Sequence, residues 1–443
     1  MVHSFHLLDK YFLFDVNSGT IHDVDELTYL VYKADNGDKE AINALVSKNI
    51  KEIQECENEL LELKKQGLLD TLPLNIKYQP MTNVKALCLE SCYDCNLSCE
   101  YCFAGKYVHN VEYMSSEIGK KAIDFLIKNS GDTKNLEVDF FGGEPLLNLD
   151  SIKEVVEYAK EEAKKHNKFF KFTLTTNCVL LNEETAKYLN EEMDNVVLSI
   201  DGRECVHNGV RKSNNGVSCY SKIIENAKNF VNIRGDKNYY VRGTFTRKNL
   251  DFKKDILFLA DQGFKQISIE PVVLPSSSPL AIREEDVERI KKEYEDFTKE
   301  YVERRKDEES WFSFFHFNCD FENGPCIQKR LSGCSAGCSY LAVAPDGEIY
   351  PCHQFVDKKE FKLGDVDNGI NNEKAREVFL KTSVYTKPAC ENCFAKFNCG
   401  GGCNANNYNL YKDVNISDKV ACELFRKRLE CSIYIYAKEK ETE

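Results

Sequence analysis

The placement of the cysteines constrains this chain more than any other feature. Twenty occur in 443 residues, and eleven fall in three clumps. Cys95, Cys99 and Cys102 form the first, and Cys334, Cys338 and Cys352 the second. Cys390, Cys393, Cys399 and Cys403, with Cys422 close behind, form the third. Thiols grouped this closely either cross-link or bind metal. The first residues, MVHSFHLLDKYFLFD, lack the basic head, long apolar core and small-residue cleavage site of a secretory signal. No run approaches the roughly 18 apolar residues of a membrane helix. A cytoplasmic location is therefore expected, where thiols stay reduced, and the clumps read as metal or catalytic sites rather than disulfides. The other nine cysteines (Cys56, Cys88, Cys92, Cys178, Cys205, Cys219, Cys319, Cys326 and Cys431) mostly read as small buried apolar residues. A net charge of −13 argues against a nucleic-acid or anionic-membrane partner.

Three regions follow from the patterning. Residues 1–80 carry strand-like runs at Phe5–Leu8 and Tyr11–Phe14, a turn at Val16–Thr20, and helical patterns at Glu26–Lys33, Glu40–Ser47 and Ile50–Gln66. They look like a small winged-helix fold. Eight Lys against 14 Asp and Glu make this module the wrong sign for DNA contact. Residues 84–308 alternate six strand-like runs (85–90, 136–141, 170–175, 195–200, 239–245 and 266–270) with amphipathic stretches. Such alternation implies parallel βαβ units. The expected class is α/β, a partial (β/α)6 TIM-like barrel, with a doubly wound sheet left open by periodicity alone. Either way, ligands gather at the C-terminal strand ends. Residues 309–443 are cysteine-rich, with short strands such as Tyr340–Ala344 and Gly347–Tyr350.

The first clump, Cys95-x3-Cys99-x2-Cys102, follows the first strand of the alternating region. Three thiolates can hold three corners of a cubane iron–sulfur cluster and leave one iron open. With Cys92 as a fourth, they could instead close a tetrahedral zinc site. The CxxxCxxC spacing, with Tyr101 before its last cysteine, resembles the signature of radical S-adenosylmethionine (SAM) enzymes. The further motifs occur in order, each at a strand end. Gly142-Gly143-Glu144-Pro145 looks like the family's GGEP motif, whose backbone and Glu bind the methionine amino group. Thr176-Asn177 ends the third strand, and Ser199-Ile200-Asp201-Gly202 resembles the segment that contacts ribose and carboxylate. The resemblance implies that S-adenosylmethionine binds the open iron and yields a deoxyadenosyl radical that abstracts hydrogen, with a flavodoxin or ferredoxin-type protein as electron donor.

The C-terminal pattern, Gly347-Glu-Ile-Tyr-Pro-Cys352 followed by Cys390-x2-Cys393-x5-Cys399-x3-Cys403 and Cys422, resembles the SPASM extension of these enzymes. By that resemblance Cys390, Cys393, Cys399 and Cys422 hold an outer auxiliary 4Fe–4S cluster. Cys334, Cys352 and Cys403 hold an inner one, for three clusters in all. Cys338 or Cys326 could supply a fourth inner ligand. Without it, an iron is left for a substrate cysteine thiolate. The N-terminal module resembles the element that captures a leader peptide as an added strand in peptide-modifying enzymes. Docking is expected near Tyr11–Asp15, Ile21–Val24 and the helix at Ile50–Gln66. Together the three parts resemble the sactipeptide synthases, closest to the maturases of six-cysteine SCIFF peptides. The implied function is a thioether crosslink, Cys sulfur to carbon, within a precursor peptide bearing a leader and a Cys-rich core. The alternatives are another SPASM reaction, such as sulfatase formylglycine maturation or epimerisation, and a zinc-bearing binding protein.

Overall fold

The computed structural model describes residues 1–73, 76–104, 112–324 and 326–441. The N-terminal module begins with β1 (Val2–Leu7), β2 (Lys10–Asp15) and β3 (Ile21–Val24), an antiparallel sheet with β2 in the centre. Helices α1 (Glu26–Asp35), α2 (Lys39–Leu45) and α3 (Ile50–Lys65) follow. Each starts at a residue whose side chain accepts a hydrogen bond from a first-turn N–H: Asp25, Asp38 and Asn49. Leu13, Val31, Tyr32, Cys56, Leu60 and Leu69 form the module's own core.

One expectation is corrected here. Residues Tyr11–Asp15 lie in the central strand, hydrogen-bonded on both sides, so no strand can be added there. The β1 side of the module is also engaged. His3 stacks on Phe394 with ring centroids 3.5 Å apart and hydrogen-bonds Glu430 at 3.0 Å. The Tyr434 hydroxyl donates to Asp9 at 2.6 Å. β1 and β3 are both edge strands without a backbone partner on their outer sides among the described residues, and it is β1 that carries the His3 contacts just described. Asp15 N–H donates to Thr20 O at the hairpin, and paired residues alternate in their bonding. It follows that Ile21 and Asp23 turn their N–H and C=O groups away from β2.

The principal sheet contains β4 (Ala86–Cys92), β6 (Asn135–Gly142), β7 (Phe169–Thr176), β8 (Asn195–Ser199), β10 (Tyr239–Phe245), β11 (Gln266–Pro271) and the short β12 (Ser313–Phe314). All pair in parallel, and each lies beside its neighbour in this order. Two short strands, β5 (Leu97–Cys99) and β9 (Arg211–Ser213), pair with each other outside it. A doubly wound sheet would reverse its order at a central crevice. This one does not, and it brings all its C-terminal strand ends to one side. β4 is buried along its whole length, as expected for a parallel strand covered on both faces. The helix at Ser116–Asn129, capped by Ser115, buries Ala122, Ile123, Phe125 and Leu126 against it.

Beyond β4 the same sheet continues into β13 (Tyr340–Val343), which is parallel to β4, then β14 (Glu348–Tyr350), β15 (Gly364–Asp365) and β16 (Gly369–Ile370), which are antiparallel. The C-terminal helix Lys419–Lys440 packs along the helix Val287–Arg305. Leu341, Val343, Leu424 and Ile433 share one apolar core with the parallel strands. The cysteine-rich region is therefore built onto the sheet rather than appended to it. No helix among the described residues is long and apolar enough to cross a membrane.

Candidate active site

A cavity of about 400 Å³ opens at the C-terminal ends of the parallel strands. Its walls include Cys95, Cys99, Cys102 and Tyr101 from the loop after β4, and Gly142, Gly143, Glu144 and Pro145 from the end of β6. Thr176 and Asn177 at the end of β7 and Ser199 at the end of β8 complete that wall. Four separate sequence motifs thus face one space.

Close backbone contact locks the cysteine loop onto β6. Gly143 N–H donates to Cys92 O at 2.8 Å, and Glu144 N–H to Asp94 O at 2.9 Å. A Cβ on Gly142 would stand 2.4 Å from Cys92 O, and one on Gly143 would stand 2.0 Å from Asp94 O. Gly142 also has φ +129°, a backbone conformation that favours glycine. The two glycines are therefore needed to seat the cysteine loop as well as to admit a ligand.

Glu144 is 1% exposed. It accepts from the Thr176 hydroxyl at 2.7 Å, Asn177 N–H at 2.7 Å and Leu146 N–H at 3.2 Å. Burial pushes its carboxyl up to about 7, against the pull of these donors. Asn177 reaches back to Asn96 at 2.7 Å and to the Cys95 sulfur at 3.8 Å. The GGEP, Thr-Asn and cysteine segments are thus one hydrogen-bonded unit. Burial raises the Cys95 and Cys99 thiols, Cys99 to about 11, with Arg211 opposing it at Cys99.

Asp201 departs from expectation. It does not line the cavity but is fully buried beneath the loop. Its carboxylate accepts from the Tyr101 hydroxyl (2.7 Å), Arg211 Nε and Nη2 (3.0 and 3.2 Å) and Thr244 N–H (2.9 Å). Ser199 faces the cavity, whereas two residues later the chain has turned under the loop. There the Arg211 guanidinium compensates the charge. Arg211 itself lines the cavity and lies over the Tyr101 ring at 5.5 Å.

Sequence reasoning did not find the opposite wall. Arg242 on β10 and Glu270 on β11 form an ion pair of 2.6 Å inside the cavity. Half of the Arg242 side chain is accessible although it lies deep in the molecule, because it borders the cavity. Burial would raise the Glu270 carboxyl, but Arg242 and then His316 outweigh it and hold it at about 2. A charged residue at the C-terminal end of a parallel strand was the available signal. His353 and Gln354, which follow Cys352, and Asn406, three residues past Cys403, complete the wall beside Phe103 and Phe141.

The remaining cysteines gather in two sets. Burial raises the Cys352 thiol, and Cys334 and Cys403 raise it further. Burial likewise raises Cys422, with Cys399, Cys390 and Cys393 contributing. Arg426 approaches the Cys393 sulfur at 3.8 Å. Cys338 is buried near Cys334 and Arg376, whereas Cys326 is exposed at the start of a short helix.

This donor chemistry fits iron–sulfur clusters and S-adenosylmethionine. Three thiols border a cavity whose wall also carries a buried carboxyl, suited to an ammonium group. Residues 89–259 match the Radical SAM superfamily, and residues 334–394 match the SPASM iron–sulfur cluster-binding domain. The chain is 24% identical over 370 residues to the cysteine-type anaerobic sulfatase-maturating enzyme of Clostridium novyi, covering 80% of this chain and 96% of that protein. Its fold is similar to that of native anSMEcpe with bound AdoMet and Cp18Cys peptide, at TM-score 0.66 and 19% identity, over 81% of this chain and 99% of the other. It is also similar to Streptococcus suis SuiB bound to S-adenosylmethionine, at TM-score 0.53 and 18% identity, over 95% and 98% of the two chains. The chain thus carries a radical SAM domain joined, through one continuous sheet, to an iron–sulfur SPASM domain.

Proposed function

We propose that this radical SAM enzyme oxidises a side chain in a ribosomally made peptide or protein. One observation carries the proposal: a single cavity is bordered both by Cys95, Cys99 and Cys102 and by His353 and Gln354, which follow Cys352, with Asn406, three residues past Cys403. Cys95, Cys99 and Cys102 would hold a 4Fe–4S cluster. Glu144 and the Gly142–Gly143 backbone would take the amino group of S-adenosylmethionine, with Thr176, Asn177 and Ser199 along the rest of it. Bound there, the cofactors supply a one-electron cleavage and a carbon-centred radical able to remove hydrogen from an unactivated carbon. The chain contributes geometry and exclusion of water. Phe103 and Phe141 stack at 6.1 Å beside the site, and the Arg242–Glu270 pair offers a donor and an acceptor side by side, complementary to a peptide unit. Cys390, Cys393, Cys399 and Cys422, and Cys334, Cys352 and Cys403, would hold two auxiliary clusters. A flavodoxin or ferredoxin-type donor would supply the electron in the cytoplasm.

Conversion of a target Cys or Ser to formylglycine, as in sulfatase maturation, has the stronger support from the comparisons. The similarity to a cysteine-type maturase runs over nearly the whole of that protein. Thioether formation in a SCIFF- or sactipeptide-type precursor is the second reading, and two observations favour it. A fifth of this chain extends beyond the match to the maturase, and β3 keeps a free edge beside three helices. In this reading the winged-helix-like module binds a leader along Ile21–Val24.

The test is anaerobic reconstitution with a Cys-containing peptide encoded beside the gene. About twelve irons per chain are expected for three cubanes, and zinc without iron ends the proposal. Mass spectrometry separates the chemistries. Loss of sulfur from a Cys means formylglycine. Loss of two hydrogens means formylglycine from Ser if every thiol stays free, and a thioether if one thiol is blocked. An unchanged mass with an inverted residue means epimerisation.

A further inference from the structure

Lys387 is 2% exposed and belongs to no motif considered so far. Its ammonium donates to Gly401 O at 2.7 Å and to Asn404 Oδ1 at 2.7 Å. Both acceptors lie on the short connection from Cys399, the third outer cysteine, past Cys403 of the inner set. That connection contains Gly400, Gly401 and Gly402, with φ +69°, +91° and +72°. A Cβ on Gly401 would meet Lys387 Cδ at 3.3 Å. Three successive left-handed residues thus fold the chain around a buried ammonium. Burial pushes Lys387 down, while Cys390 and Cys399 of the outer set and Cys403 and Cys334 of the inner set pull it up. The outer set also faces Arg426 and Arg428.

We propose that the Lys387 ammonium is a shared electrostatic control of the two auxiliary clusters, standing between their cysteine sets and raising the reduction potential of both. This rests on the reading that the SPASM region holds two clusters. Each added electron increases negative charge on a cluster, and a fixed buried cation favours that state. The inner cluster depends on Lys387 more heavily, because the outer one keeps two arginines.

The experiment is an EPR-monitored redox titration of the reconstituted full chain, comparing the wild type with Lys387→Met, Lys387→Arg and Lys381→Met as an exposed control. Lys387→Met is expected to lower the reduced-to-oxidised ratio of the inner cluster about tenfold at a fixed potential, equal to about 59 mV for one electron. The outer cluster should fall less and the radical-site cluster not at all. Lys387→Arg should keep the wild-type values, as should Lys381→Met. Auxiliary signals unmoved in Lys387→Met, with iron content intact, would overturn the proposal. If Lys387→Met loses auxiliary iron, retention in Lys387→Arg supports a requirement for charge, and loss in both variants refutes it. A wild type with about eight irons and one auxiliary signal would instead refute the two-cluster reading.

Discussion

Asp201→Ala separates a residue that touches ligand from one that holds the cysteine loop. Asp201 is fully buried and accepts four hydrogen bonds. The Arg211 side chain opposite is 11% exposed. Removing one member of a buried pair leaves an uncompensated charge and costs about 3–5 kcal/mol. Freeing the Tyr101 hydroxyl also loosens the segment between Cys99 and Cys102. The assay is urea unfolding of the metal-free chain, with iron retention after reconstitution as a second reading. The expected result is a midpoint lowered by that amount and selective loss of iron at the first site. The double variant Asp201→Ala/Arg211→Ala should cost less than the sum of the single variants by about 0.5–3 kcal/mol, because neither charge is then stranded. A midpoint shift below about 1 kcal/mol, with weakened S-adenosylmethionine binding, would refute the positioning argument and restore Asp201 to the ligand site.

Three further expectations follow from particular contacts. Gly143→Ala forces a methyl group against Asp94 O and C, at 2.0 and 2.6 Å. It should cost about 1–3 kcal/mol and remove about four of twelve irons, measured by unfolding and iron assay. A stable variant with full iron would contradict the seating role of that glycine. Glu90 is fully buried on β4, and neither carboxyl oxygen has a hydrogen-bond partner among the described residues. Burial pushes its carboxyl up from 4.5 to about 8. The folded chain then keeps a proton that the unfolded chain releases, so stability is lost as pH rises from about 4.5 to 8, at about 1.4 kcal/mol per pH unit. Glu90→Gln should flatten that fall in urea midpoints taken at pH 5 and pH 8, and equal slopes in the two proteins would count against it. At the free edge, Asp23→Pro removes an outward N–H while leaving the β2 ladder intact. It should weaken leader-peptide binding by about 0.5–1.5 kcal/mol in calorimetry, with Asp23→Asn as the control for the lost ion pair to Lys10. Unchanged affinity would exclude strand addition at β3.

The cysteine sets, the strand-end motifs and the alternation of strands and helices are local signals, and all were legible in the chain. Cys95, Cys99 and Cys102 lie within eight residues, so few backbone paths can separate them. GGEP is written in glycines because two backbones meet there, and Asp94 and Gly143 are close in the fold for the reason the motif suggests. The register of the N-terminal sheet was not legible. Tyr11–Asp15 and Ile21–Val24 both read as strands, and only the pairing of β2 on both sides shows that the first has no free edge.

By itself, the sequence determined the metal-binding character, the order of the motifs and the end of the sheet at which they gather. Tertiary structure decided where the charges belong. Asp201 sits in a motif yet turns away from the cavity, because its partner Arg211 comes from a different strand. Arg242 meets Glu270 across neighbouring strands 28 residues apart, and Lys387 meets Asn404 across 17. A thiol can be recognised by its neighbours in the chain. A buried charge is tolerated only where a distant partner compensates it, and no local pattern carries that information.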